Sequence, residues 1–208
     1  MEQTVKKDAL TLTDVLRARF KGVLDPAAAF FGRMGFSPNS LTLFGLLGNI
    51  AGSALIATGN VSLGGLVILL MGPIDALDGA LARKLGLVSE YGAFLDSVTD
   101  RYSELVILGG LLLYYLQRGE WLGSLLVYLA AGGSVLVSYT RARAQSLGMD
   151  TKVGLFTRVE RFIVLAPCLI INQPMIALWA TAILANVTAF QRIWHVRKQA
   201  YERKEMAR

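Results

Sequence analysis

Apolar and polar positions alternate along this chain in long blocks. Six stretches, near residues 40–58, 62–84, 92–116, 121–145, 154–172 and 174–196, are dominated by Leu, Ile, Val, Ala, Gly and Phe. Each has the roughly 17–25 residues that a helix needs to cross a bilayer. Residues 8–36 have a different pattern. Leu12, Val15, Leu16, Phe20 and Val23 recur at helical spacing, with Arg17, Arg19 and Lys21 between them, and Pro26 is positioned to break the segment. That is the pattern of an amphipathic helix lying in the membrane interface. The expected architecture is an all-α integral membrane protein. A cytoplasmic N-terminal segment (1–36) with an interfacial helix precedes a six-helix membrane domain (37–197) and a basic tail (198–208).

Composition agrees: 54% of the residues are hydrophobic and only 17% are charged, which is unusual for a soluble domain of this size. The net charge of +6 could suggest nucleic acid, but the basic residues sit at the ends of apolar stretches, as membrane anchors do. Nucleic-acid binding is therefore not expected. The turns after spans one and five carry no charge, whereas Arg33, Arg83, Lys84, Arg141, Arg143, Lys152, Arg158, Arg161 and the tail from Arg192 onward mark the opposite ends. Of the 21 Lys and Arg residues, only Arg118 falls on the other side. The positive-inside rule then places both termini in the cytoplasm. Cys168, the single cysteine, permits no disulfide within the chain. The N-terminus lacks the apolar core of a cleavable signal peptide.

Against this apolar background, Asp75, Asp78, Asp96 and Asp100 fall within 26 residues, DALDGALARKLGLVSEYGAFLDSVTD. A carboxylate inside a membrane helix costs at least a few kcal/mol, so four of them call for a common purpose. Asp75 and Asp78 are three apart, Asp96 and Asp100 four apart, so each pair shares a helix face. Two such helices facing each other would form an all-oxygen site for hard divalent cations. The pairs lie about 6–12 Å from the cytoplasmic ends of their spans at a rise of about 1.5 Å per residue. A cation- or proton-coupled transporter could also use such carboxylates. It would favour a midplane site and an internal repeat, and the sequence has neither.

With its neighbours the acidic stretch reads D-x2-D-G-x2-A-R-x8-G-x3-D-x3-D, through Asp75, Asp78, Gly79, Ala82, Arg83, Gly92, Asp96 and Asp100. This resembles the signature of the CDP-alcohol phosphotransferases at all eight specified positions. The resemblance implies a membrane transferase of phospholipid synthesis, a homodimer, with two Mg²⁺ or Mn²⁺ ions held by Asp75, Asp78, Asp96 and Asp100. It makes Asp100 the candidate base for the acceptor hydroxyl. It assigns the CDP donor to Asp78, Gly79, Ala82 and Gly92. Arg83 is either a phosphate contact or an anchor. Asn39 and Thr42, in a Ser37-Pro38-Asn39-Ser40-Leu41-Thr42 segment similar to the family's entry to span one, either contact the nucleotide or belong to a helix start that Asn39 or Ser40 caps.

Span four ends in Ser138-Tyr139-Thr140-Arg141-Ala142-Arg143-Ala144 and span five begins Gly154-Leu155-Phe156-Thr157-Arg158-Val159-Glu160-Arg161. Guanidinium forks match phosphate oxygens, so arginines grouped at one mouth suit an anionic acceptor. These stretches look like those of the phosphatidylinositol-phosphate synthase branch, differing at Arg141, Thr157 and Val159. That likeness implies transfer of the phosphatidyl group of CDP-diacylglycerol to inositol 1-phosphate with release of CMP. Arg141, Arg158, Arg161 and Arg192 would hold the acceptor phosphate. Glycerol 3-phosphate is the rival acceptor, as in a phosphatidylglycerol-phosphate synthase, and related archaeal enzymes use archaeol-based donors. The expected location is a prokaryotic plasma membrane, with the active site facing the cytoplasm.

Overall fold

A computed structural model describes residues 12–151 and 153–206, with side chains from residue 19 to 205. The first eleven residues of the N-terminal segment, the side chains of Leu12, Val15, Leu16 and Arg17, and Lys152 lie outside the described residues. Seven helices make up the described chain: α1 (Leu12–Arg33), α2 (Pro38–Ala57), α3 (Val61–Leu85), α4 (Glu90–Gln117), α5 (Trp121–Ser146), α6 (Arg158–Ile170) and α7 (Pro174–Met206).

α1 runs on through Pro26. A proline inside a helix removes one backbone hydrogen bond and crowds the preceding turn. Packing on both sides of it outweighs that cost: Leu24, Ala27, Ala28 and Phe31 pack with Ile74, Leu77 and Leu81 of α3. α2 starts where the sequence places it, but its cap is Ser37. Ser37 Oγ accepts from the Ser40 amide at 3.1 Å, and Ser40 Oγ accepts from the Ser37 amide at 2.9 Å. This reciprocal box, with Pro38 in the first turn, satisfies amides that would otherwise be orphaned. The capping role expected of Asn39 or Ser40 thus belongs to Ser37, with Ser40 as its partner. α3 ends on Gly86, whose φ of 66° supplies the left-handed turn that closes a helix. α4 is opened by Ser89, whose Oγ accepts from the Gly92 amide at 3.0 Å.

α2, α3, α5 and α7 are long and apolar enough to cross a membrane. The two remaining expected spans depart from that standard for different reasons. α4 has 28 residues, ample length, but carries Asp96, Asp100, Arg101 and Glu104 within nine residues of one another. α6 has only 13 residues, about 20 Å at 1.5 Å per residue, against a hydrocarbon core of about 30 Å. α7 passes without a break through the boundary expected at residue 197. The tail's first residues are tied into the fold, because Gln199 Nε2 donates to the Asp150 carbonyl at 2.6 Å and Gln199 Oε1 accepts from the Asp150 amide at 3.2 Å.

α2 packs on α3 and α4, α5 on α7, and α6 on α3. The central cluster joins Ile56, Ile68, Leu111, Leu126, Leu169 and Leu178 from six helices. Leu47, Leu70, Leu113, Ile183 and Phe190 face outward. Such an apolar exterior is ordinary in lipid and would be a liability in water. Between α2 and α3 the backbones touch. A Cβ on Gly52 would stand 3.0 Å from the Gly64 carbonyl oxygen, and one on Gly64 would stand 3.1 Å from the Ile56 amide nitrogen. Small residues allow this approach, which in lipid replaces the hydrophobic force as the reason helices associate. The crossing holds α3 in place beside α2.

Gly64→Val is expected to lower stability by about 1–3 kcal/mol, since the backbone atoms it meets cannot move aside. Gly109→Ala, at a position with nothing within 4 Å, should stay within about 0.5 kcal/mol. Thermal unfolding in detergent compares the two; equal midpoints would refute the tight α2–α3 crossing.

Candidate active site

Asp75 and Asp78 sit on the last three turns of α3, Asp96 and Asp100 on the first three turns of α4. The turn between the helices reverses the chain, so the two acidic faces meet. One carboxylate oxygen from each of Asp75, Asp78 and Asp96 lies within 4.8 Å of the others. Asp78 is buried at 6% exposure, and Thr42 Oγ1 donates to its Oδ2 at 2.5 Å. Thr42 therefore belongs to the site through Asp78, one turn into α2.

Asp100 is drawn in from the other side. Arg158, at the start of α6, places Nη1 2.6 Å from Asp100 Oδ2. Its Nη1 and Nη2 also donate to Asp75 Oδ2 and Oδ1 at 2.8 and 3.2 Å. The guanidinium thus bridges α3 and α4 with the bidentate geometry to which arginine is suited. Four carboxylates and one guanidinium, when ionised, leave three negative charges in a half-buried pocket.

The donor set fits a hard divalent ion. It is all oxygen, as Mg²⁺ and Mn²⁺ prefer, and has no His or Cys to favour zinc. An octahedral ion with ligands at about 2.1 Å spans about 4.2 Å between opposite oxygens, so the observed spread requires only small side-chain movements.

The residues expected to hold a nucleotide border this cluster. The Asn39 Oδ1 atom lies 3.6 Å from where a Cβ on Gly92 would be, so the starts of α2 and α4 face each other there. A Cβ on Gly79 would meet only Arg83 Nη1, at 3.4 Å. Ala82 is half-buried and Arg83 exposed on the same last turns of α3. The small residues leave an open shelf beside the carboxylates.

The four arginines divide. Arg158 is in the carboxylate cluster. Arg161 is 3% exposed; its Nε and Nη2 donate to Glu104 Oε1 and Oε2 at 2.5 and 2.9 Å, and its Nη1 to the Phe156 carbonyl at 3.2 Å. Arg192, also 3% exposed, donates from Nε to the Val153 carbonyl at 3.0 Å and from Nη1 to the Val137 carbonyl. Arg141 is exposed at the end of α5. Arg141 and Arg161 both lie close enough to Arg192 for their charges to act on it. Glu160, between Arg158 and Arg161 in the chain, accepts from the Thr157 hydroxyl. Sequence reasoning overlooked Glu104. Its spacing of four residues from Asp100 and eight from Asp96 puts it on the same face of α4, a signal that lies just past the end of the acidic motif.

The CDP-alcohol phosphatidyltransferase family model matches residues 36–193. The chain belongs to this family. It is an integral membrane transferase of phospholipid biosynthesis. Among its relatives, the phosphatidylinositol phosphate synthase of Streptomyces avermitilis is 38% identical, over 92% of this chain and 84% of the relative. The archaetidylinositol phosphate synthase of Pyrococcus horikoshii is 35% identical, over 88% of this chain and 96% of the relative. The crystal structure of Mycobacterium tuberculosis phosphatidylinositol phosphate synthase with CDP-DAG bound superposes with a TM-score of 0.77 at 27% identity, covering 84% of this chain and 93% of that one.

Thr42→Val is expected to leave the Asp78 carboxylate without its hydroxyl donor, at a cost of about 1.5–3 kcal/mol. Thr42→Ser should keep most of that stability. A thermal unfolding series in detergent decides this, and equal midpoints for the two variants would count against the contact.

Proposed function

We propose that the chain transfers the phosphatidyl group of CDP-diacylglycerol to inositol 1-phosphate, forming phosphatidylinositol phosphate and CMP. The carboxylate cluster carries this reading: three aspartates from two helices within 4.8 Å, with the fourth held beside them by Arg158. In the reaction the acceptor hydroxyl oxygen forms a bond to the phosphorus that bears diacylglycerol. The bond from that phosphorus to the oxygen bridging to CMP breaks, and CMP leaves with the bond's electron pair. Asp100, the only one of the four outside the tight group of three, accepts the hydroxyl proton. Asp75, Asp78 and Asp96, with Asp100 at the edge, hold two Mg²⁺ or Mn²⁺ ions. Bound there, such ions neutralise the pyrophosphate and stabilise the attacking and leaving oxygens.

Asn39, Thr42, Gly79, Ala82, Arg83 and Gly92 form the donor side, where small residues admit a flat base and Arg83 meets a phosphate. The acceptor's phosphate is drawn by the positive field of Arg141, Arg158, Arg161 and Arg192. Two relatives named for inositol phosphate products support that acceptor over glycerol 3-phosphate. A manganese-containing structure of the Mycobacterium tuberculosis synthase supports the choice of metal. We further infer six spans, counting α4 and α6, with both termini and the active site on the cytoplasmic side of a prokaryotic plasma membrane, and a homodimeric enzyme. The one-sided distribution of Lys and Arg supports that orientation. A cation-coupled transporter would leave Gly79, Ala82 and Arg83 without a purpose.

Purified protein with labelled CDP-diacylglycerol and Mg²⁺ or Mn²⁺ should release CMP with inositol 1-phosphate, and less or none with glycerol 3-phosphate, serine or inositol. CMP release with glycerol 3-phosphate alone would move the assignment to the rival acceptor; release with none of them would overturn it. Asp96→Asn should fold yet lose CMP release by more than the about 10–100-fold typical of residues behind a metal ligand. Near-normal turnover in that variant would contradict a role as ligand.

A further inference from the structure

Glu104 lies outside the acidic motif, one helical turn beyond Asp100 on α4. Arg161 lies one turn beyond Arg158 on α6. The two residues join in a bidentate pair at 2.5 and 2.9 Å. The Asp100–Arg158 contact at 2.6 Å stands next to it. The helices are therefore linked by two ion pairs in the same register: one reaches the proposed reacting carboxylate, the other is set back in the interior. Side-chain exposure separates them. Arg158 is 40% exposed, whereas Arg161 is 4% and Glu104 17% exposed.

α6 is short; besides the ion pairs of Arg158 itself, its start is tied by the Phe156 amide, which donates to Thr188 Oγ1 at 3.2 Å, and by the Thr157–Glu160 hydrogen bond. Its N-cap, Thr157, makes no side-chain capping bond to the helix amides. Arg161 additionally holds the approach to the helix through the Phe156 carbonyl. A paired buried charge in a membrane bundle is costly to break, because the partner is left charged in a poor solvent. An arginine with Nε and Nη2 occupied by a carboxylate and Nη1 by a carbonyl also has little left to offer a phosphate.

We propose that Glu104 is a positioning residue: by clamping Arg161 it holds the first turn of α6 so that Arg158 points into the carboxylate cluster. Arg161 then contributes field and register, while gripping of the acceptor phosphate falls to other residues. This inference rests on the phosphatidyl-transfer reading above.

The test is a kinetic double-mutant cycle on the full-length protein in detergent, with CMP release followed against acceptor concentration. E104Q and R161Q should each lower kcat on the order of 10²-fold, the scale of a 1 Å misplacement. For E104Q the KM for the acceptor should stay within about threefold of the wild type, since no substrate contact is removed. The double variant should be no worse than the poorer single one, because both break the same clamp. E104D, which retains the carboxylate, should recover most of the lost kcat. If a single variant fails to fold, the double variant, with both buried charges removed, must still show the kcat loss. The inference is overturned by an E104Q or double variant with wild-type kcat, by no recovery in E104D, by losses that multiply across the cycle, or by R161Q acting through acceptor KM alone. A wild-type protein that releases no CMP with any acceptor would instead overturn the functional reading and this inference together.

Discussion

The structure depends on bringing four carboxylates together inside an apolar bundle. Their mutual repulsion and the desolvation of Asp78 both oppose that arrangement. It is held by the short turn between α3 and α4, by the Thr42 hydroxyl, and by the guanidinium of Arg158, which reaches α3 and α4 at once. Four helices contribute to this junction. α2 brings the hydroxyl, α3 and α4 the carboxylates, and α6 the cation. The glycine crossing between α2 and α3 lets the first two approach closely enough to do so.

The same junction gives the site two electrical sides. The carboxylate face suits divalent cations and, through them, a pyrophosphate. On the proposed reading, the arginines Arg141, Arg161 and Arg192 supply the field for an anionic acceptor. Arg158 meets the carboxylates, and the Glu104–Arg161 pair sits directly behind it. On the proposed reading, a lipid-borne donor and a soluble, charged acceptor have to meet at the membrane surface. A site near the ends of α3 and α4, rather than at the bundle's midpoint, suits that requirement.

How much of this could be read in the sequence differs from residue to residue. Asp75, Asp78, Asp96 and Asp100 were legible because an ionisable group in an apolar run is costly, and because helical spacing fixes which ones share a face. Asn39 and Gly92, far apart in the chain, were expected on one donor site, and they do face each other. Glu104 lay on the same face of α4 but past the end of the motif, so its partner could not be anticipated. Ser37 rather than Asn39 became the α2 cap because a reciprocal Ser–Ser box satisfies two groups at once. α1 continues through Pro26 because packing on α3 recovers what the missing hydrogen bond loses. Such outcomes depend on contacts between segments distant in sequence.

The sequence alone determined that the chain is a helical membrane protein, which faces of α3 and α4 are acidic, and which family motif they form. Those properties follow from local chemistry: hydropathy, helical periodicity and the cost of charge in lipid. Only the tertiary structure decided which arginine meets which carboxylate. The four arginines look alike along the chain, yet Arg158 enters the acidic cluster, Arg161 is clamped by Glu104, Arg192 is bound to backbone carbonyls, and Arg141 stays exposed. A guanidinium takes whichever acceptors the packing of its helix brings within about 3 Å, and that is set by three-dimensional register, which spacing along the chain does not encode.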